Sequence, residues 1–298
     1  MPEAEPLLTP ELTSRLARLD LRSLRVLPGG MQGERRSKQR GRSVEFADFR
    51  PYAVGDDLRL IDWNLYARLD RLVMRVFFEE QDLAAAIVLD VTASMGYGSP
   101  TKLRFCQQLA AALGHVALSR MNRTGFFALG DGVVRQLAWL RGKRPVAEAM
   151  KFLGSLEAEG AGDLGQAARR LAPLTPGAGV VVLMGDFYDT EALGRALRVL
   201  SAGRRDVYAL QVLSPEELDP ELAGLTGDLR LTDVETGAEA PVTVSAALLR
   251  RYRERLEAFL GRSREACERL GVRYALLRSD AAVDEVVLGD LRRLGVVG

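Results

Sequence analysis

The pentapeptide Asp90-Val91-Thr92-Ala93-Ser94 places a carboxylate and two hydroxyls on alternate residues, directly after the apolar run Ala84-Ala85-Ala86-Ile87-Val88-Leu89. In a tight loop that alternation turns Asp90, Thr92 and Ser94 toward one point. Oxygen donors of this kind suit a hard cation, Mg²⁺ first, with Mn²⁺ or Ca²⁺ as alternatives. A second apolar run, closing on Leu183-Met184-Gly185, delivers another carboxylate, Asp186. Parallel strands place Asp90 and Asp186 on the same sheet edge, where ligands bind in open α/β sheets. Two carboxylates at one edge repel unless a cation or protons neutralise them, so their pairing itself argues for metal. The plainer alternative is local: Asp after a strand often caps the next helix, and Ser94 can begin one.

The elements that must position these residues follow from periodicity. The runs over 84–90 and 179–184 read as strands buried on both faces. Helical spacing predicts helices over 102–120, 145–156, 163–174, 191–200, 246–270 and 283–294, and strands over 124–130, 133–139, 207–213 and 272–277. This alternation predicts an α/β fold with a doubly wound, mainly parallel sheet. Residues 229–232 and 241–244 flank Glu235-Thr236-Gly237, a hairpin inserted near 228–245. Upstream, a helix over 11–27 ends at Pro28-Gly29-Gly30, a basic loop runs from Arg35 to Arg42, and 43–80 reads as short strands and turns, with 72–78 the clearest strand. The expected division is 1–82, an N-terminal helix with a β-rich extension, and 83–298, the α/β domain.

Composition narrows the partners. The 298 residues carry 41 Lys+Arg against 40 Asp+Glu, a formal net charge of +1, so no global field draws the molecule to nucleic acid or an anionic membrane. The Arg35–Arg42 run lacks the interleaved aromatics of single-strand binders and reads as a solvated loop. Cys106 and Cys267 stand in no metal-ligand spacing and suggest neither a disulfide framework nor a zinc site. The acidic N-terminus and the lack of a membrane-length apolar run predict a cytoplasmic protein.

Enzyme signatures are absent. There is no Gly-x-x-x-x-Gly-Lys-[Ser/Thr] loop, no Gly-x-Gly-x-x-Gly after the first buried strand and no Gly-x-Ser-x-Gly elbow. A haloacid-dehalogenase-like phosphotransferase needs a second Asp where Thr92 stands. His115, the sole histidine, falls inside a predicted helix. The chain reads as a non-enzyme. A metal-dependent hydrolase stays open as an alternative, because a bound metal can activate water; a structural scaffold with a degenerate site is another.

The Asp90, Thr92, Ser94 and Asp186 pattern resembles the metal-ion-dependent adhesion site of von Willebrand factor A domains, with Thr92 in place of a Ser. Gly162, within Gly160-Ala161-Gly162-Asp163-Leu164, stands where that site takes a Thr; Asp163 is then a substitute ligand that can lean in. Val44 to Tyr52, Gly55 to Arg59, Ile61 to Asn64 and Ala67-Arg68 resemble the signature of domain-of-unknown-function family 58. That resemblance implies a von Willebrand factor A-like domain that binds a protein partner, a MoxR-type AAA+ ATPase or its client. Within the block, Arg50, Asp56, Arg59, Asp62 and Arg68 alternate in charge and predict a salt-bridged mini-sheet anchored by Trp63, with a direct partner surface as the alternative.

Overall fold

A computed structural model of the chain describes residues 6–22, 45–54, 56–78, 83–130, 134–203, 205–221, 224, 227–234 and 237–298. The basic run over 35–42 lies outside them. The chain divides into two compact units, one of Val26–Asp82 and one of Met1–Arg25 with Leu83–Gly298. The N-terminal helix therefore groups with the α/β unit, not with the extension where the sequence reading put it. That helix, α1, spans Pro10–Leu16 only, capped by Thr9. It stops short of the predicted Leu27 because Leu21 is extended and bridges Val297, while Leu16, Leu19 and Leu21 all join the core.

In the smaller unit, β1 (Glu45–Pro51) pairs antiparallel with β2 (Val73–Phe78). Between them lies α2 (Trp63–Leu69), a helix where short strands and turns were expected. Asp62 starts it, its carboxylate accepting from the N–H groups of Asn64 (3.0 Å) and Leu65 (3.1 Å). Asp70, in the left-handed conformation, ends it.

The larger unit is built on six strands in the order β10-β7-β6-β3-β4-β5. These are β3 (Ala84–Asp90), β4 (Arg123–Leu129), β5 (Val134–Leu140), β6 (Val180–Gly185), β7 (Asp206–Leu213) and β10 (Arg273–Arg278). All neighbours are parallel except β4 and β5. The short step from Leu129 to Val134 leaves no room for the crossover a parallel pair needs, so β5 turns back as an antiparallel edge.

Helices cover both faces, and strand alternation assigns each side chain to one of them. Ala85, Ile87 and Leu89 of β3 pack with α3 (Lys102–Ser119) and α4 (Val146–Gly154), whereas Ala86 and Val88 pack with α5 (Leu164–Leu171) and α6 (Thr190–Leu200). The central strands β3 and β6 are buried along their whole length, the burial that a continuous apolar run requires. A short helix α7 (Pro215–Leu218) follows β7. The expected hairpin forms as β8 (Gly227–Thr232) and β9 (Glu239–Val244), leading into the long helix α8 (Ala246–Glu268).

Candidate functional site

Register places the first carboxylate. Strands β3 and β6 pair Ala85 with Val180 through Leu89 with Met184, so Asp90 and Asp186 leave neighbouring strands at one sheet edge. Asp90 can stand there only because its neighbour is glycine. A Cβ at Gly185 would lie 2.8 Å from the Asp90 Cβ.

The loop after β3 closes on itself. Asp90 Oδ1 accepts from the Thr92 N–H (2.9 Å) and from Thr92 Oγ1 (2.7 Å), and Thr92 Oγ1 lies 3.2 Å from Ser94 Oγ. The structure thus brings three of the sequence-predicted residues together, each about 7% exposed. Two backbone bonds tie this loop to the one that follows α4: Ala93 N–H donates to Gly160 O (2.8 Å) and Glu159 N–H to Val91 O (2.9 Å).

Gly162 sits in that second loop, and its lack of a side chain is forced. A Cβ would meet Gly130 O at 2.7 Å and Thr92 Cγ2 at 3.3 Å. Asp163 does not join the cluster. Its carboxylate caps α5 by accepting from the Gln166 N–H (2.9 Å) and receives Arg195 Nη2 (3.0 Å), which together hold it below the usual carboxylate range.

Asp186 has a different partner. Lys102 Nζ donates to Asp186 Oδ2 (2.9 Å), to Glu217 Oε1 (2.7 Å) and to the Tyr188 hydroxyl (3.2 Å), so all three ammonium protons are used. Lys102 is wholly buried at the first turn of α3, behind its cap Thr101. Glu217 is fixed in turn by a capping box with Ser214 at the start of α7, and by the hydroxyl of Tyr188, which donates to it. Tyr252 of α8 donates to the Glu217 carbonyl (2.6 Å). The backbone oxygen of Asp186 accepts from Gln211 Nε2 (2.6 Å), whose own amide oxygen accepts from Tyr274 (2.7 Å).

Lys102, Glu217, Tyr188 and Gln211 escaped the sequence reading. Lys102 carried a signal, a lysine at the head of a helix whose next turns, Leu103, Phe105, Cys106 and Leu109, are apolar. Glu217 carried only its capping-box spacing from Ser214.

The donor set fits a hard cation in part. Among the described residues no three histidine, cysteine or carboxylate side chains gather as a metal cage. What the edge offers is one carboxylate and two hydroxyls, with Asp186 following the neighbouring strand at the same edge. Lys102, with one positive charge, bonds two carboxylates, Asp186 and Glu217, and Asp90 adds its own carboxylate on the neighbouring strand. Mg²⁺ keeps several waters, so three or four protein oxygens suffice.

Cys106 and His115 lie in different surroundings. Burial, followed by the Asp90 and Asp186 carboxylates, pushes the Cys106 thiol far up. His115 lines a separate groove of about 770 Å³ with Thr13, Ser14 and Lys143, where burial and then Lys143 lower its pKa.

In the smaller unit Arg50 and Asp56 form a bidentate pair (2.7 Å for each bond) that lowers the Asp56 pKa. Asp62 caps α2. Trp63, expected to anchor the mini-sheet, is 59% exposed and meets Tyr66 edge-to-face. No ion pair joins Arg59 or Arg68 to the others among the described residues.

The sheet order and the helices on both faces define a doubly wound α/β domain with oxygen-bearing side chains at one sheet edge. The chain belongs to the family described as "Protein of unknown function DUF58", whose pattern matches residues 48–262. It is 26% identical over 245 residues to "Uncharacterized protein Rv1480" of Mycobacterium tuberculosis, covering 80% of this chain and 76% of that one. The same figures hold for "Uncharacterized protein Mb1516" of Mycobacterium bovis. Similar solved structures include an aerotolerance-related membrane protein from Bacteroides fragilis (15% identity, TM-score 0.43, 71% of this chain and 98% of that one). Another is a von Willebrand factor type A protein from Catenulispora acidiphila (19%, TM-score 0.35, 62% and 44%). No described helix is long and apolar enough to cross a membrane.

Proposed function

We propose that the chain is a non-enzymatic, cytoplasmic protein-binding module that captures its partner at the carboxyl edge of β3 and β6. The observation that carries this reading is the convergence of Asp90, Thr92 and Ser94, with Thr92 Oγ1 2.7 Å from Asp90 Oδ1 and 3.2 Å from Ser94 Oγ. These side chains, with Asp186 alongside, would hold Mg²⁺, which when bound supplies a Lewis-acidic position for a carboxylate of the partner. The resemblance to domain-of-unknown-function family 58 points to a MoxR-type AAA+ ATPase as the partner, which makes the module its adaptor or co-chaperone.

The test is capture of a purified MoxR-type AAA+ ATPase by the immobilised chain, without nucleotide, in Mg²⁺ or in chelator. Capture is expected in Mg²⁺ and lost in chelator and on Asp90→Ala. Capture indifferent to both would refute the reading.

A further inference from the structure

Within the site just proposed, one component has no assigned role: a buried ammonium bonded to one of the candidate metal ligands. Lys102 spends its three protons on Asp186 Oδ2, Glu217 Oε1 and the Tyr188 hydroxyl, and its side chain has 0% exposure. The Tyr188 ring lies 4.7 Å from the same nitrogen, and stacks in turn on Phe259 of α8. The ammonium is therefore a fixed charge and not a mobile side chain that solvent can claim.

We propose that Lys102 is a resident cation that competes with the divalent ion for Asp186, and that Glu217 sets the strength of that competition. This inference rests on the metal reading of the edge. Lys102 occupies one oxygen of Asp186 and leaves Oδ1. A divalent ion beside Asp90 then meets both a weakened ligand and a like charge in a partly desolvated setting, where charge repulsion is poorly screened. The edge binds the ion weakly by itself. The carboxylate of a partner supplies the missing ligand and the missing negative charge together, so ion and partner each strengthen the binding of the other by the same factor.

Glu217 matters because it shares the ammonium. Removing its charge leaves Lys102 to Asp186 alone and takes one negative charge from the edge. Removing the charge of Lys102 does the opposite, leaving the edge one charge more negative. The two substitutions must therefore move metal affinity in opposite directions, which a residue important only for folding would not do.

Titration calorimetry with Mn²⁺ on the intact chain reads this directly, with circular dichroism to establish folding. Lys102→Met is expected to bind Mn²⁺ at least about tenfold more tightly than the parent, Glu217→Gln more weakly and Lys102→Arg within about twofold. A parent with no measurable Mn²⁺ binding still serves, since Lys102→Met must then acquire it. A folded Lys102→Met with unchanged or weaker affinity overturns the proposal. Should Lys102→Met not fold, Glu217→Gln decides: weaker binding supports the competition and equal or tighter binding ends it. Asp90→Ala separates the two readings. Mn²⁺ binding indifferent to Asp90→Ala means the ion lies elsewhere and the metal site itself fails; binding that Asp90→Ala abolishes but Lys102 and Glu217 do not modulate defeats only the competition.

Discussion

Lys102 Nζ lies 2.9 Å from Asp186 Oδ2, with side-chain exposures of 0% and 4%. An ion pair this deep contributes little net stability when intact, since desolvation offsets attraction, but half of it alone is costly. Lys102→Ala strands Asp186 and Glu217 without a counter-charge and is expected to destabilise the fold by about 3–5 kcal/mol. Urea denaturation measures the loss. A loss below about 1 kcal/mol would mean that water reaches the pair.

Gly185→Ala tests how tightly Asp90 is held. The new Cβ meets Asp90 Cβ at 2.8 Å and the Phe187 ring at 3.0 Å, so overpacking costs about 1–3 kcal/mol. Gly194→Ala in α6 is the control, because its Cβ meets open space and helix propensity makes it stabilising by up to about 1 kcal/mol. Paired thermal melts of the two variants are expected to shift in opposite directions.

Gly162→Thr introduces the residue type that the resembled adhesion site carries there, without adding a ligand. With Gly130 O 2.7 Å from the added Cβ, the loop must move, and Thr92 with it. The expected outcome is a loss of about 1–3 kcal/mol and no gain in Mn²⁺ affinity, read by thermal denaturation and calorimetry.

The α/β frame was legible because 84–89 and 179–184 are unbroken apolar runs, and a strand in a sheet covered on both faces asks for that. Asp90, Thr92 and Ser94 were legible for a local reason: alternation over one loop needs no knowledge of distant contacts. Asp163 was read as a leaning ligand, whereas it makes a local cap to Gln166, three residues on, and a bond to Arg195 that depends on where α6 packs, 32 residues away. Lys102 and Glu217, 115 residues apart, meet only after β7 is in place, so no local pattern joined them. Helix α2 was hidden by its aromatic and charged composition, and only the Asp62 cap betrayed its start.

Alkaline pH should loosen the α8 side of the site. Burial, and then the Glu217 carboxylate, raise the Tyr252 phenol from 10.0 to about 12. A group whose folded pKa is raised contributes stability that is complete below its unfolded value and is lost as pH climbs through the folded one. Stability is therefore expected to fall between pH 10 and about 12, and Tyr252→Phe to flatten part of that fall. Denaturation midpoints across this range, alongside phenolate absorbance, check it.

The most direct measurement is paramagnetic broadening of backbone amide signals by Mn²⁺ in the isotopically labelled chain. The account predicts that residues 90–95, 159–162 and 185–187 broaden first, that chelator reverses the effect, and that Asp90→Ala removes it. Broadening centred on any other part of the chain, or identical profiles with and without Asp90, would contradict a metal-assisted binding edge.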